Sequence, residues 1–405
     1  MRDAVIVAAK RTAVGKLGGA LKDVQPEDLA VPVVQRLLSD LNLEKETVDE
    51  IIFGHAKQSS DQPNIARLIG LKAGLPVELP AYTVHRQCGS GLQAIVNAAQ
   101  QILLGESDCI IAGGVESMST APFYIRNIRY GVGSGNQLIL DPNTESQPRS
   151  QPIETYGELT MGMTAENLAE RYGISREEQD EFALNSQMKA LRAIAEGRFK
   201  DEIVPVSIPR RKQEPLIFDT DENPRQTSME ALAKLPPVFK KGGTVTAGNS
   251  STRNDGASAV VVMSGEKARR LGLKPLARIV AWGAAGVSPD IMGIGPVPAT
   301  RKALARAGLK LEDIGLIELN EAFAAQSLAV IRELGLNQEI LNVNGGAIAL
   351  GHPIGNSGAR ITVTLIHEML RRGTLYGMAT LCIAGGLGMS VIIENLQAKP
   401  HSDQT

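Results

Sequence analysis

Short apolar runs alternate along the chain with stretches whose apolar residues recur at helical spacing. Ala4 to Ala9, Glu50 to Gly54, Ala81 to Val84 and Asp108 to Gly113 read as strands. Between them, Asp28 to Leu41 and Gly91 to Leu104 carry a one-sided helical pattern, with Leu92, Ile95, Val96, Ala99, Ile102 and Leu103 on the buried side. Strands alternating with helices predict an α/β sheet covered on both faces.

The same order returns in the second half. Leu43, Val48 and Ile51 match Leu309, Ile314 and Ile317 at a constant offset of 266 positions, and Gly91 matches Gly358 at 267. In both halves a helix, a strand and paired glycines follow, so that Gly113 and Gly114 answer Gly385 and Gly386. This predicts an internal duplication, with two half-molecules packed about a pseudo-two-fold axis. A different stretch, Ala121 to Gly248, separates them. It opens with RYGVGSGNQ and carries two charged amphipathic helices near Thr164 to Tyr172 and Ser175 to Gly197. So long an interruption reads as an inserted subdomain that serves as lid, binding surface or assembly element. The chain then rejoins the first half through a strand near Ala257 to Met263.

Composition narrows the function classes. The 405 residues are 43% hydrophobic and 21% charged, an ordinary globular balance with room for a sizeable core. Lys plus Arg (42) nearly cancel Asp plus Glu (44), and aromatics are few, which argues against a nucleic-acid surface. No long apolar run or signal-peptide layout is seen, and His401 to Thr405 form no lipidation or targeting tripeptide, so a cytoplasmic protein without a membrane partner is expected. Three widely spaced cysteines, Cys88, Cys109 and Cys382, fit neither a disulfide framework nor a zinc site. Each is a core residue or a nucleophile, in a reducing compartment.

Cys88 stands out in TVHRQCGSGLQAI. A strand ends near Val84 and a helix starts near Gly89, which puts the thiol on a strand-to-helix turn at a helix N-terminus, where unpaired N–H groups favour thiolate. The plain alternative is a small buried Cys under a Gly-rich turn. His352 lies in GGAIALGHPIGNSGAR, a Gly-rich stretch shaped around something or simply a solvated loop. Cys382 ends the strand MATLCIAGGLG, where a core role is the simple reading. Asn320 ends LIELN just before a helical pattern, where an N-cap is the simple reading. Taken together, all four fall at strand ends or on the turns beyond them, where open α/β sheets place their ligands. Cys109, inside the strand CIIAGG, is assigned to the core. Five His without paired spacing favour a metal-free route, and neither phosphate-loop pattern is present.

VHRQCGSGLQAI, GGVESMS, TVTAGN with NDGASA, NEAFA, NVNGGAIALGHPIGNSGAR and CIAGGLG resemble, in order, the diagnostic segments of the thiolase family. MGMTAENLAERYGISREEQDEFA extends the resemblance into the insertion. It implies duplicated α/β halves forming a five-layer α-β-α-β-α core with an inserted loop subdomain. The expected divisions are 1–120 plus 249–272, the insertion 121–248, the second half 273–395 and a tail 396–405.

The resemblance also implies a ping-pong acyl transfer on coenzyme A thioesters: condensation of acetyl-CoA, or thiolysis of 3-ketoacyl-CoA by CoA, with no cofactor and no metal. Cys88 would be the acyl-carrying nucleophile, His352 its base, and Cys382 the acid or base at the α-carbon. Asn320, through a water, and His352 would form one oxyanion site, and the backbone N–H groups of Cys88 and Ala384 the other. Ser251, Met161, Arg225, Phe239 and Phe323 would contact substrate or CoA. Arg210, Arg211 and Lys212 could meet phosphates, though a solvated surface explains them as well. A homodimer or homotetramer is implied, with Tyr130 to Gln137 at the position of a tetramer-forming loop.

Four departures from the family pattern stand out. His85 replaces a common Asn near Cys88, which places a second imidazole where it would alter the thiol or the pocket. Thr160 stands where short-chain members often carry His. Ala384 replaces Gly, so its backbone donor survives only at negative φ. Thr252 and Arg253 replace small or apolar residues before NDG. A ketoacyl synthase on the same fold would carry His in place of Asn320 and would not need Cys382. A catalytically silent acyl-CoA or lipid-binding protein would not need all four site residues.

Overall fold

The computed structural model describes residues 2–398, so the part of the expected tail from 399 to 405 lies outside the described residues. The first half runs β1 (Ala4–Thr12), α1 (Pro26–Asp40), β2 (Glu50–Gly54), α2 (Ile65–Lys72), β3 (Ala81–Val84), α3 (Ser90–Leu104) and β4 (Cys109–Ser117). After it come the helices α4 (Met161–Tyr172) and α5 (Arg176–Ala195), then a hairpin of β5 (Val206–Arg210) and β6 (Gln213–Phe218). Strand β7 (Asn254–Ser264) returns to the sheet. The second half runs β8 (Ala277–Gly286), α6 (Pro296–Ala307), β9 (Leu316–Leu319), α7 (Ala324–Leu334), α8 (Ile354–Arg372), β10 (Tyr376–Ile383) and β11 (Leu387–Asn395).

The strands lie in the order β9-β10-β11-β8-β1-β7-β4-β2-β3. Outward from the β1/β8 seam, the two sides repeat one pattern. β7 is antiparallel to β1 and β4, as β11 is to β8 and β10. Beyond them β4, β2 and β3 are parallel, as are β10 and β9. A lone parallel bridge from Ile317 to Leu341 stands where β2 pairs with β3 in the first half. The duplication read from the sequence offsets is therefore present in the topology. The two sides join through only two pairs, Val5 with Arg278 and Ile6 with Ala277.

Alternate residues of each strand point to opposite faces, and here both faces are covered. Val5, Val7, Ile51 and Phe53 pack outward under α1 and α2, while Ile6, Ile52, Ile110 and Val262 pack inward. Inward they meet α3 and α8, which are also covered from the far side by Leu381, Val391 and Ile393 of the second sheet half. A third cluster under α6 and α7 closes the stack. The result is the five-layer α-β-α-β-α arrangement, with α3 and α8 as its middle layer.

One expected equivalence fails. Gly113 and Gly114 are strand residues inside β4, whereas Gly385 and Gly386 form a left-handed turn after β10, with φ of 91° and 85°. The first pair serves close packing and the second serves chain reversal, so their shared sequence order is not a shared geometry.

The middle helices start side by side because glycine leaves no Cβ between them. A Cβ on Gly114 would sit 2.3 Å from the Gly355 carbonyl oxygen, and one on Gly54 would sit 2.3 Å from the Ser90 carbonyl carbon. The insertion is fastened by a buried cation. Arg11 of β1 donates to both carboxylate oxygens of Asp221 (2.7 and 2.9 Å) and to Glu202 (2.6 Å), with its guanidinium 4.9 Å over the Phe199 ring.

Overpacking against backbone is costly because the obstacle cannot rotate away. Gly114→Ala is expected to lower unfolding stability by about 2–3 kcal/mol, measured as a shift in denaturant midpoint. Gly70→Ala, in α2, meets nothing closer than 3.4 Å and serves as the contrast. It is expected to be neutral, or stabilising by about 0.5–1 kcal/mol through helix propensity.

Candidate active site

After β3 the chain makes a tight turn. Gln87 takes a positive φ of 45°, and Ser90 clamps the turn by donating to the Gln87 carbonyl (2.7 Å) and accepting from the Arg86 N–H (2.8 Å). This presents the half-buried Cys88 sulfur to a cavity of about 190 Å³. His352, from the turn before α8, and Cys382, from the end of β10, line the same cavity. Cys109 does not. It is buried in β4 among the outer-face residues, as its place in a plain strand suggested.

The electrostatics of Cys88 reverse the sequence expectation. Burial pushes its thiol up to about 11, although the N–H of Ala384, the cation of Lys57 and its own N–H pull the other way. Desolvation of the charged form outweighs the helix N-terminus. Cys382, fully buried, is pushed higher by burial and by Cys88 itself. Both sulfurs therefore rest as thiols, and a thiol at Cys88 would need a base to attack a carbonyl.

His352 is suited to that task. Burial, with help from the Arg360 charge, holds its imidazole down to about 4, so it is neutral at physiological pH. Its tautomer follows from one serine. Ser357 donates its only hydroxyl proton to the Pro353 carbonyl (2.9 Å) and so accepts from His352 Nδ1–H at 2.5 Å. The Nε2 lone pair is left free for a proton. His352 N–H donates to Asn254 Oδ1 (2.9 Å), a contact that needs Gly351 at φ 102°, since a Cβ there would lie 2.5 Å from the Asn254 side chain.

Asn320 is fully buried, and neither its Oδ1 nor its Nδ2 has a partner. The N-cap reading fails, because α7 begins at Ala324 with Phe323 at its cap. A buried amide with both ends unmet is a place for a bound water or ligand atom. Ala384 does not take a positive φ, so its N–H reaches Cys88 despite the missing glycine.

Met161, Ser251, Phe239 and Phe323 line the cavity, the two rings edge to face at 6.0 Å. Arg225 does not, and its N–H instead donates to Gln187. His85 is exposed and stands outside the lining, contrary to the expectation that it would shape the pocket. Thr160 caps α4, accepting from the Met163 N–H. Arg210, Arg211 and Lys212 lie exposed at the β5–β6 turn. A roomier polar cleft of about 580 Å³, lined by Lys189, Glu321 and Arg372, holds neither sulfur.

Three residues escaped the sequence reading. Glu116 accepts from the N–H groups of Ala56, Lys57 and Gly355 (3.1, 3.0 and 2.8 Å) and pairs with His55 at 3.0 Å. Lys57, a buried cation, was not singled out at all. Ser357 had a signal: it lies five positions after His352, one turn into the helix whose entry the histidine precedes.

With this geometry in view, comparison with known proteins is decisive. The thiolase N-terminal domain matches residues 4–266 and the thiolase C-terminal domain residues 273–395. The chain belongs to the thiolase family. It is 54% identical to an acetyl-CoA acetyltransferase of Pseudomonas aeruginosa, over 97% of this chain and 99% of that one. It is 50% identical to a probable acetyl-CoA acyltransferase of Staphylococcus aureus, with the same coverage. Among solved structures, the acetyl-CoA acetyltransferase of Bacillus anthracis superposes with a TM-score of 0.95 at 51% identity, covering 98% of this chain and 99% of that chain. Human mitochondrial 3-ketoacyl-CoA thiolase does so with a TM-score of 0.93 at 47% identity and the same coverage. This thiolase is accordingly an acyltransferase, and the silent-binder alternative is not favoured.

Because the folded-state imidazole is depressed, it stays unprotonated down to about pH 4. The rate of Cys88 acylation is expected to hold level from pH 8 to pH 6 and to fall only below about pH 5. Single-turnover acylation with acetyl-CoA measures this, and a half-maximal rate near pH 7 would contradict the assigned base.

Proposed function

We propose that this thiolase interconverts a 3-ketoacyl-CoA plus CoA with an acyl-CoA plus acetyl-CoA, through an acyl group carried on Cys88. The observation that carries the reading is the convergence of two thiols and one neutral imidazole on a single cavity. In the thiolysis direction His352 Nε2 takes the Cys88 proton as the sulfur attacks the 3-keto carbon. The alkoxide forms against the N–H groups of Cys88 and Ala384. When the C2–C3 bond breaks, the acetyl-CoA enolate is held by His352 Nε2–H and by a water on Asn320, and Cys382 gives its proton to C2. Incoming CoA transfers its thiol proton to the Cys382 thiolate and attacks the acyl carbon. Cys88 leaves and recovers its proton from His352. Condensation is the same sequence reversed.

The raised Cys382 thiol fits this order, since the residue must begin thiolysis as an acid. Ser251, Met161, Phe239 and Phe323 would form the pantetheine path, and Arg225 would lie toward the nucleotide end. Substrates of the CoA class agree with the human thiolase solved in complex with CoA. No separate cofactor or metal enters the scheme. The exposed apolar residues Phe123, Tyr130, Leu138 and Ile139 in the insertion support a homodimer or homotetramer, which light scattering would size. Among the described residues no helix is long and apolar enough to cross a membrane, in keeping with a cytoplasmic enzyme.

Cys88→Ala is expected to abolish the acetyl adduct seen by intact mass after mixing with acetyl-CoA. Cys382→Ala should still acylate but lose at least about a thousandfold in condensation. Equal loss of both steps in Cys382→Ala would overturn the division of labour, and an unmodified wild-type protein that cleaves no acetoacetyl-CoA would restore the silent-binder reading.

A further inference from the structure

The acyl cavity has one apolar side, from Met161, Phe239, Met292 and Phe323, and one polar side. The polar side is the segment Asn143 to Ser150, whose Asn143, Ser146, Gln147 and Ser150 all face the cavity. Two cations hold this segment. Lys57 Nζ, on a residue only 6% exposed, donates to the Pro142 carbonyl (3.2 Å) and to Ser146 Oγ (2.5 Å). Arg253, itself part of the lining, donates to Thr144 Oγ1 (3.2 Å) and lies 3.5 Å from Asp141.

Lys57 forms no ion pair with any described residue. The carboxylate whose field it feels most, Glu116, is already engaged by His55 and three backbone N–H groups. An ammonium carries three protons, and two are accounted for. Burial holds the Lys57 ammonium below the usual lysine range in spite of the Glu116 charge, a cost that an anion at its third proton would offset. Beside it, Asn143 Oδ1 is buried on the same side and has no partner, its Nδ2 being spent on the Met118 carbonyl. A hydrocarbon tail would leave both groups unmet. Lys57 stands just behind the lining, its Nζ on Ser146 Oγ, and Ser146 and Cys88 line the same cavity, so an acyl chain on that sulfur can end beside the ammonium.

We propose, building on the thiolase reading above, that the acyl group transferred by Cys88 ends in a carboxylate that pairs with Lys57, so that the preferred substrates are 3-oxoacyl-CoA esters of dicarboxylic acids. Attack at the 3-keto carbon leaves the ω-carboxylate on the acyl-enzyme, facing the Asn143–Ser150 side. Arg253 adds a second positive charge at the rim, and a water between the carboxylate and Asn143 satisfies the amide oxygen.

The test compares thiolysis of three esters of equal length: 3-oxoadipyl-CoA, 6-hydroxy-3-oxohexanoyl-CoA and 3-oxohexanoyl-CoA. The wild-type enzyme should favour the carboxylate over the methyl ester by at least about tenfold in kcat/KM, with the hydroxyl ester between them. Lys57→Met should bring the carboxylate-to-methyl ratio to one or below, and Lys57→Arg should keep most of it. If Lys57→Met does not fold, Lys57→Gln replaces it, keeping polar contact to Ser146 without the charge. A wild-type ratio of one or less overturns the proposal, as does a hydroxyl ester that outruns the carboxylate. A Lys57 variant that slows all three esters equally also overturns it, marking Lys57 as a clip alone. In those cases an acetyl adduct on Cys88 leaves the thiolase reading standing, whereas no turnover of any ester and no adduct sinks both.

Discussion

The Glu116 carboxylate is the contact on which the site depends. It ends β4 of the first half, and it binds the N–H of Gly355 at the entry to α8 of the second half, three residues past His352. Its remaining capacity goes to Ala56, Lys57 and His55. One buried anion thus ties the turn that carries His352 to the scaffold that carries Cys88. Burial would push Glu116 up, but His55, Lys57 and the Gly355 amide hold it down, and Glu116 in turn raises the His55 imidazole. Such a group is costly to strip of a partner. The glycines at 54, 91, 114 and 355 are the steric side of the same arrangement, because the carboxylate can reach α8 only if the helix start lies against the strand.

That close approach also sets the chemistry. A site formed between two buried helix N-termini excludes water, and exclusion of water raises thiols and lowers imidazoles. The backbone donors at Cys88 and Ala384 do not hold a resting thiolate. They act on the Cys88 sulfur without making it a thiolate, and preorganised donors give most once an oxyanion forms. The unmet amide of Asn320 belongs to the same logic. Left without a partner, such an amide would cost about 1–3 kcal/mol, so the site is built to hold a water or an enolate oxygen there. Resting neutrality also suits the proposed reaction, which runs both ways with Cys382 as acid in one direction and base in the other.

Much of this was legible in the sequence, for definable reasons. Period-two and period-3.6 patterns located β2 and β3 to the residue, and α1, α3 and the insertion helices to within a turn. The offset of 266 reported the duplication because both halves bury the same faces of the same elements. Strand-end chemistry was legible too, since Cys88 and His352 sit on turns marked by glycine and Cys382 ends a strand just before the Gly385–Gly386 turn. What stayed hidden depends on contacts distant in sequence. The sign of the Cys88 shift is set by burial that no local pattern encodes, and the helix-end argument, though sound in isolation, was the smaller effect. The Gly113–Gly114 match failed because glycine marks close packing as readily as a turn. His85 looked significant by adjacency, yet the cation acting on Cys88 is Lys57, thirty-one positions upstream in number and next to it only because β2 and β3 are parallel neighbours.

The division of labour between core and insertion follows from the same geometry. The catalytic groups come from strand ends of both halves, where a shift of one residue would break the convergence, so this part of the fold has little freedom. The wall facing the acyl chain comes from the segment after Asp141, which the core holds at a few points: Lys57 at Pro142 and Ser146, Arg253 at Thr144, and Gln87 at Ser150. A wall fastened by side chains can change its lining without moving a sulfur or the imidazole. On the proposed assignment, substrate choice can therefore vary while the reaction stays fixed, through residues such as Lys57, Asn143 and Arg253 that take no proton from the substrate.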